Sequence, residues 1–533
     1  MTATRAAGAT GAEPLLRFAL HQERFTLPWW LAGTGALLAF QSVGSQNFYD
    51  TPAKLAQLRT TMGGNAAAVA MGGPTRLLDS IGGEVLFEIF AYLGMVVALM
   101  SMFLVGRHTR SDEEAGRAEL LRSAILGRRA PVTAALGLAS IANAAGALVV
   151  FAAAAGTGLP LTGSLLTGLA VGGIGLTFAA ATAVAAQIVE SPRTVYGVIT
   201  LLLASAYVLR AVGDVGNGAA AWFSPLGWGQ RTYPFVADRW WPLLLFVLAV
   251  ATLTAVAYAL LERRDFGAGL VPARRGRAEA TRWLAGPLAL AWRLQRGALT
   301  AWIMGVLLLG AAYGSFAQSI EEFLTDNPVI ADYLPGGVER AVDSYLALTL
   351  GITALLAAAY GITAALRARS EETAGRAEPI LATPVSRTAW LGTHLSVALT
   401  GAALVAVAGG LGSGVAHGLM IGDLGQVSRL ATAALAYVPA VWTVAAVAVL
   451  GFGRWPRSAA VVAWAFFAYC VVAALFADAF DLPGWFDEAS PLRHSPQVPL
   501  ESASATTMLV TLVIAAALIG AGAAAFRRRD AGY

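Results

Sequence analysis

Apolar runs long enough to cross a bilayer alternate with short Arg- and Glu-bearing segments along the whole chain. A spanning helix needs roughly 20 apolar residues, and about twelve stretches approach or exceed that length. In the first half they cover 27–44, 85–105, 131–155, 161–188, 194–212 and 241–261. In the second they cover 299–316, 342–366, 389–416, 430–452, 458–476 and 506–526. The pattern predicts an all-α polytopic membrane protein of about 12 transmembrane helices, built as two six-helix pseudo-symmetric halves.

The polar segments repeat. Arg110-Ser111-Asp112-Glu113-Glu114-Ala115-Gly116-Arg117-Ala118-Glu119 follows the second apolar run, and Arg369-Ser370-Glu371-Glu372-Thr373-Ala374-Gly375-Arg376-Ala377-Glu378 follows the eighth. Three further landmarks recur in the same order. Arg24, Leu27, Trp30 and Gly33 match Arg296, Leu299, Trp302 and Gly305. Ser224-Pro225-Leu226 matches Ser490-Pro491-Leu492, and Arg263-Arg264-Asp265 matches Arg528-Arg529-Asp530. A spacing of roughly 260 residues marks an internal duplication. It divides the chain into a first half over 1–265, a linker and interfacial segment over 266–296, and a second half over 297–533. An even helix number per half gives both the same orientation, related by a pseudo-twofold along the membrane normal.

Composition removes the soluble alternative. Of 533 residues, 57% are hydrophobic and 13% charged, against about a quarter charged in soluble domains. The net charge of +4 matters less than its placement. Arg clusters at 107–129, 263–296, 367–387 and 527–529, while the alternate loops are acidic or mixed. The positive-inside rule then places the Arg-rich loops and both termini in the cytoplasm. The first 28 residues carry no apolar signal-peptide core, so the first spanning helix is expected to direct insertion. Cys470 is the single cysteine, which excludes an intrachain disulfide.

Local patterns give further expectations. Ser111 and Glu114 have capping-box spacing and predict a short cytoplasmic amphipathic helix after the second span. In the second copy Thr373 replaces the box Glu, and Pro379 and Pro384 should shorten or bend the helix. Residues 15–27 suit an interfacial helix. The aromatic stretch 217–240 predicts a re-entrant or interfacial helical hairpin over the translocation path. Glu84, Glu88, Asp343 and Arg210 lie near span ends, where snorkelling is expected. Lys54 is the only lysine, so no G-x-x-x-x-G-K-[ST] loop is present. The five histidines have no metal spacing, and no G-x-S-x-G elbow occurs. These absences argue against an active site for covalent chemistry, so the chain does not read as an enzyme.

On the repeated phrase and the Ser-Pro-Leu segments, the chain resembles the permeases of ABC-2 type exporters. It is most similar to the fused, double-length actinobacterial permeases of polyketide and tetronasin-like antibiotic export. The resemblance implies two copies of a separate nucleotide-binding subunit that holds ATP and Mg, with no cofactor in this chain. It implies coupling helices at Glu113, Glu114, Gly116, Arg117 and Glu119, and at Glu372, Gly375, Arg376 and Glu378. It implies an extracellular gate at Trp222, Phe223, Pro225 and Pro491. A central cavity would be lined from the second and fifth helices of each half, with Glu88, Phe90, Tyr207, Tyr345 and Phe466 as candidates. The implied setting is the cell membrane, and the implied cargo a hydrophobic or amphiphilic small molecule. Nucleic acid is not among the expected partners. Because Thr373 and Pro379 break the match, the two coupling helices are not expected to be equivalent.

Two other readings share these features. An ion-coupled secondary transporter can have two six-helix halves, but it needs a carboxylate or His deep in the membrane. A non-transporting scaffold or sensor would look the same in sequence and would lack cargo-dependent ATPase activity.

Overall fold

A computed structural model describes residues 8–116, 126–265, 267–272, 279, 284, 286–326, 337–476, 483–502 and 504–529. These are helices and connecting turns, with no strand among the described residues. The chain divides into two compact units, Met1–Gly276 and Arg277–Tyr533. Ten of the described helices are long and apolar enough to cross a membrane.

The first unit opens with α1 (Ala12–Glu23) and α2 (Thr26–Phe48). Two short helices follow, α3 (Pro52–Gly63) and α4 (Ala66–Gly72). The long elements are α5 (Ile81–Gly106), α6 (Ala130–Gly156), α7 (Leu161–Ile188) and α8 (Pro192–Val215). The six-residue α9 (Pro225–Gln230) and the outer α10 (Leu243–Arg263) complete it. Starts are set by sequence: Ser80 caps α5 by accepting from the Gly83 amide at 3.0 Å, and Ser191 caps α8 ahead of Pro192. Helices α5 and α7 are mostly buried, whereas α10 shows most of its apolar surface outward. That is the expected division between bundle core and lipid-facing rim. Leu38, Leu93, Ile174, Leu203, Leu226 and Phe246 meet in the central cluster.

The second unit contains α11 (Pro287–Asp326), α12 (Gly337–Ala365), α13 (Arg387–Ile421) and α14 (Gly425–Ala436). It continues with α15 (Val438–Arg454), α16 (Ala459–Phe476) and α17 (Ala505–Arg528). Its tightest crossing joins α11 and α13. A Cβ on Gly310 would lie 2.2 Å from the Gly409 carbonyl oxygen, and one on Gly412 2.0 Å from that of Leu307. Ser413 Oγ donates across the crossing to Gly310 O at 3.0 Å. Small residues let two backbones approach where lipid gives no hydrophobic drive, so packing and interhelical hydrogen bonds hold the pair. Gly422, at φ +75°, stops α13. Asp423 then accepts from the Gly425 amide and from Gln426, which holds its carboxyl below the ordinary range.

Every predicted span coincides with a helix, but several local expectations fail. Ser111 is not an N-cap. The chain stays helical beyond α5 through a π turn at Arg107–Ser111 and on to Glu114. Ser111 therefore has helical φ/ψ, which an N-cap cannot have, and its hydroxyl lies 3.3 Å from that of Tyr196. The body of the expected amphipathic helix, including Arg117 and Glu119, lies outside the described residues. Helix α11 begins at Pro287, ten residues ahead of the residue that was expected to open the second half. The 217–240 stretch is no helical hairpin. It makes a turn of 3₁₀ helix at Ala220–Phe223 and the short α9, then winds through positive φ at Tyr233, Phe235 and Asp238. The rings choose this path. Phe235 settles over Gly82 and Gly163, where a Cβ would come within 2.6 Å and 2.3 Å of its ring.

Candidate functional site

The two repeated motifs prove to be one structural object in each half. Glu113, one turn before the helix stop, accepts from Arg110 Nη1 at 2.7 Å. It also accepts from both terminal nitrogens of Arg264, at 3.0 Å and 2.5 Å, in a bidentate pair. In the second unit Glu372 pairs with Arg529 at 2.5 Å. Glu113 matches Glu372 in the first motif, and Arg264 matches Arg529 in the second. The end of the second span is thereby fastened to the end of the last span within each half.

The Arg that opens each phrase has a matching task. Arg110 is 1% exposed and sends Nε to Ala186 O at 2.5 Å and Nη2 to Ala268 O at 2.9 Å. Arg369 sends Nε to Pro456 O at 2.6 Å and Nη2 to Arg457 O at 3.2 Å. Ala186 O lies near the end of α7 and the two Arg369 acceptors just past the end of α15, whereas Ala268 O lies in the segment after α10. A guanidinium suits this work, since its five donors fan out in one plane and stay charged.

Both extensions end on glycine. Gly116 has φ +70° and Gly375 φ +68°. Gly116 N donates to Glu113 O and Gly375 N to Glu372 O, at 3.1 Å and 2.9 Å. A left-handed glycine is the usual way to stop a helix and satisfy its last carbonyls. The corner this creates is outward-facing: Glu114 and Ala115 are exposed, as are Thr373, Ala374, Gly375, Arg376, Glu378 and Pro379. Pro379 stands at the start of the four-residue helix Glu378–Leu381, where a proline costs no hydrogen bond. Glu113 and Glu372 thus serve the fastening, and Glu114, Arg376 and Glu378 remain at the surface. Arg376 also reaches Glu371 through Nε at 2.7 Å.

Other expected sites disperse. Phe90 is wholly buried against Gly229 and fills the core, so it is a packing residue in this structure. Glu88 is exposed and accepts from Gln41 at 2.6 Å. Tyr207 lies under the Arg210 guanidinium, 4.5 Å from ring centroid to carbon. Tyr345 donates to Tyr313 O at 3.1 Å, and Phe466 packs beside Tyr469. Trp222 stacks on Trp241, whereas Phe223 is 78% exposed. Pro225 opens α9 beneath the Ser224 cap. Pro491 opens no comparable helix and stands in a run of turns.

Three charges do not snorkel. Glu84 is wholly buried, with neither carboxylate oxygen hydrogen-bonded to the protein. Arg210 and Asp214 are also buried and face each other at 3.7 Å, with Arg231 on the far side of Asp214 at 3.3 Å. The loop after α9 covers them, and α4 receives Arg210 at Met71 O and Gln230 at Gly72 O. Asp343 pairs with Arg429 at 2.7 Å. A further pairing went unread in sequence: buried Glu23 accepts from Arg107 at 2.6 Å and lies 3.1 Å from His108 Nε2. Its signal was present in the charges of residues 15–27, but only folding brings them to residues 107 and 108.

Residues 284–527 match the family model described as the C-terminal domain of the multidrug efflux system permease Rv1217c. The chain is also 38% identical, over 99% of its length and 96% of the relative's, to the multidrug efflux system permease protein Rv1217c of Mycobacterium tuberculosis. With its ten spanning-length helices, this protein is a multi-pass membrane protein, and it belongs to the family of multidrug efflux system permeases.

Proposed function

We propose that the chain is the membrane subunit of an ATP-driven exporter of hydrophobic or amphiphilic small molecules, with the Arg-rich helix ends on the cytoplasmic side of the cell membrane. The observation that carries this is the repeated corner. In each half a glycine stop with exposed residues beside it is tied through a Glu–Arg pair to the last long helix. A push on that corner moves two spans together instead of bending a loop. Without a P-loop the chain must take its energy from elsewhere, and each corner offers a nucleotide-binding subunit a rigid handle. ATP and Mg would belong to that partner, in two copies. Drug efflux is what the relative's name states, and an apolar bundle suits such cargo.

The test loads inverted vesicles containing this chain, with and without its ATPase, and follows dye uptake. Uptake that needs ATP and the ATPase supports the proposal. Uptake driven by a proton gradient alone overturns it and favours a second reading. That reading has one observation behind it: the Glu84 carboxylate, in the first turn of α5, is buried with neither oxygen hydrogen-bonded.

A further inference from the structure

The second unit holds a cavity of about 200 Å³ beside its glycine-stopped corner. Leu290, Leu294, Ile380 and Trp390 give it an apolar wall. Arg367, Glu371, Arg376 and His394 give it a polar one. Glu371 receives Arg367 on one oxygen and Arg376 on the other, each at 2.7 Å. One carboxylate against two guanidiniums leaves the lining with an excess positive charge. Polar positions are also left over. Arg367 Nε and His394 Nδ1 are buried without a hydrogen-bond partner in the protein, and His394 is 4% exposed. Buried polar groups in that state cost free energy until something hydrogen-bonds to them.

The first half handles the same place differently. By the matched motifs, Glu23 corresponds to Gln295 and His108 to Arg367. Glu23 lies against Arg107 and His108 and balances their charge. In the second half the matched position is a neutral amide, and Gln295 Nε2 is buried without a partner. Arg367 turns to Glu371 instead, which is already taken by Arg376. The second half thus differs in three matched positions, Leu366 for Arg107, Arg367 for His108 and Gln295 for Glu23, and the charge beside its apolar hollow is that of Arg367 and Arg376 against Glu371.

We propose that this cavity binds an anionic amphiphile, its single phosphate or carboxylate group held by Arg367, His394 and Arg376 and its chain laid along Leu290 and Leu294. Basic pockets between helices at a membrane surface take lipid headgroups by this chemistry. An acidic cargo molecule would present the same group. Nothing in the site needs a nucleotide-binding partner, so the isolated full-length chain is the sample.

The experiment is photolabelling with a diazirine-bearing dodecyl phosphate in zwitterionic nanodiscs, read by peptide mapping. Label should fall around residues 287–294 and be displaced by unlabelled dodecyl phosphate but not by dodecanol. Arg376→Gln and Leu290→Trp should each reduce that label about tenfold, the loss expected for one charged contact or for a filled chain site. Arg376 is more than half exposed, so Arg376→Gln keeps the fold even if Leu290→Trp does not. The exposed Arg429→Gln serves as control. Two arms separate the sources. A phospholipid retained by wild type and lost from Leu290→Trp in native mass spectrometry assigns a bilayer lipid. Displacement of label by dodecanoate, with no retained phospholipid, assigns acidic cargo. Labelling that ignores both substitutions, or that dodecanol displaces equally, overturns the proposal.

Discussion

Gly116 and Gly375 show how much one residue can settle. Each stands at positive φ with no neighbouring atom within 4 Å of a would-be Cβ. Space is therefore not the constraint, and backbone chirality is. A β-branched residue there pays the left-handed penalty of roughly 1–2 kcal/mol, while Asn tolerates it better. Gly375→Val should lower the thermal unfolding midpoint in detergent, and Gly375→Asn should lower it by less than half as much. Glu113 and Glu372 belong to the same scale. Leaving a buried charge without any partner costs about 3–5 kcal/mol; Glu113 keeps Arg110, so Arg264→Met should destabilise the first half by less than that. Exchanging the pair, Glu372→Arg with Arg529→Glu, should recover much of what either single reversal loses, as read from a double-mutant cycle of unfolding midpoints. Independent, additive losses would show that the pair does no joint work.

At the scale of elements, helix positions were legible and helix ends were not. A run of apolar residues marks a span by transfer energy alone, and all twelve runs are helical. The end of the second span was misread because Ser111 and Glu114 satisfy a capping pattern while the backbone never leaves the helix. Competition between a local cap and continued helix was decided by Arg110 and Glu113, whose partners lie 76 to 158 residues away. Helix contacts depend on small residues that a hydropathy reading passes over. Gly412→Leu should drive α13 from α11 and abolish recovery of folded protein by fluorescence-detected size exclusion. Gly305, with nothing within 4 Å, should accept Leu with near-normal recovery. Equal loss from both would show that the crossing is not what holds the unit together.

At the scale of the whole molecule, duplication supplies two similar devices that have diverged. The fastening survives in both halves, but the exposed residue before the stop is Glu114 in one and Thr373 in the other. If both corners take a partner subunit, Glu114→Lys should remove much of the ATPase stimulation while leaving the unfolding free energy within about 0.5 kcal/mol of wild type, as surface changes usually do. Thr373→Lys should have a smaller effect in the same assay. The reverse order, or no effect from either, would place docking elsewhere. Reversal at Glu113 is the poorer probe, because it breaks the fold's own pair.

The amino-acid order alone determined the membrane setting, the positions of the long apolar helices, the repeated motifs and the missing P-loop. Those properties are sums or repeats of local chemistry, which no tertiary contact can reverse. It also displayed both halves of the lock, the Glu phrase and the Arg-Arg-Asp ending, without joining them. Tertiary structure alone decided that Glu113 and Glu372 fasten helices, that Phe90 packs, that Glu84, Arg210 and Glu23 are buried, and that a charged hollow lies beside Trp390. Burial and pairing belong to neighbours in space, and in this bundle those neighbours come from helices that lie tens to hundreds of residues apart.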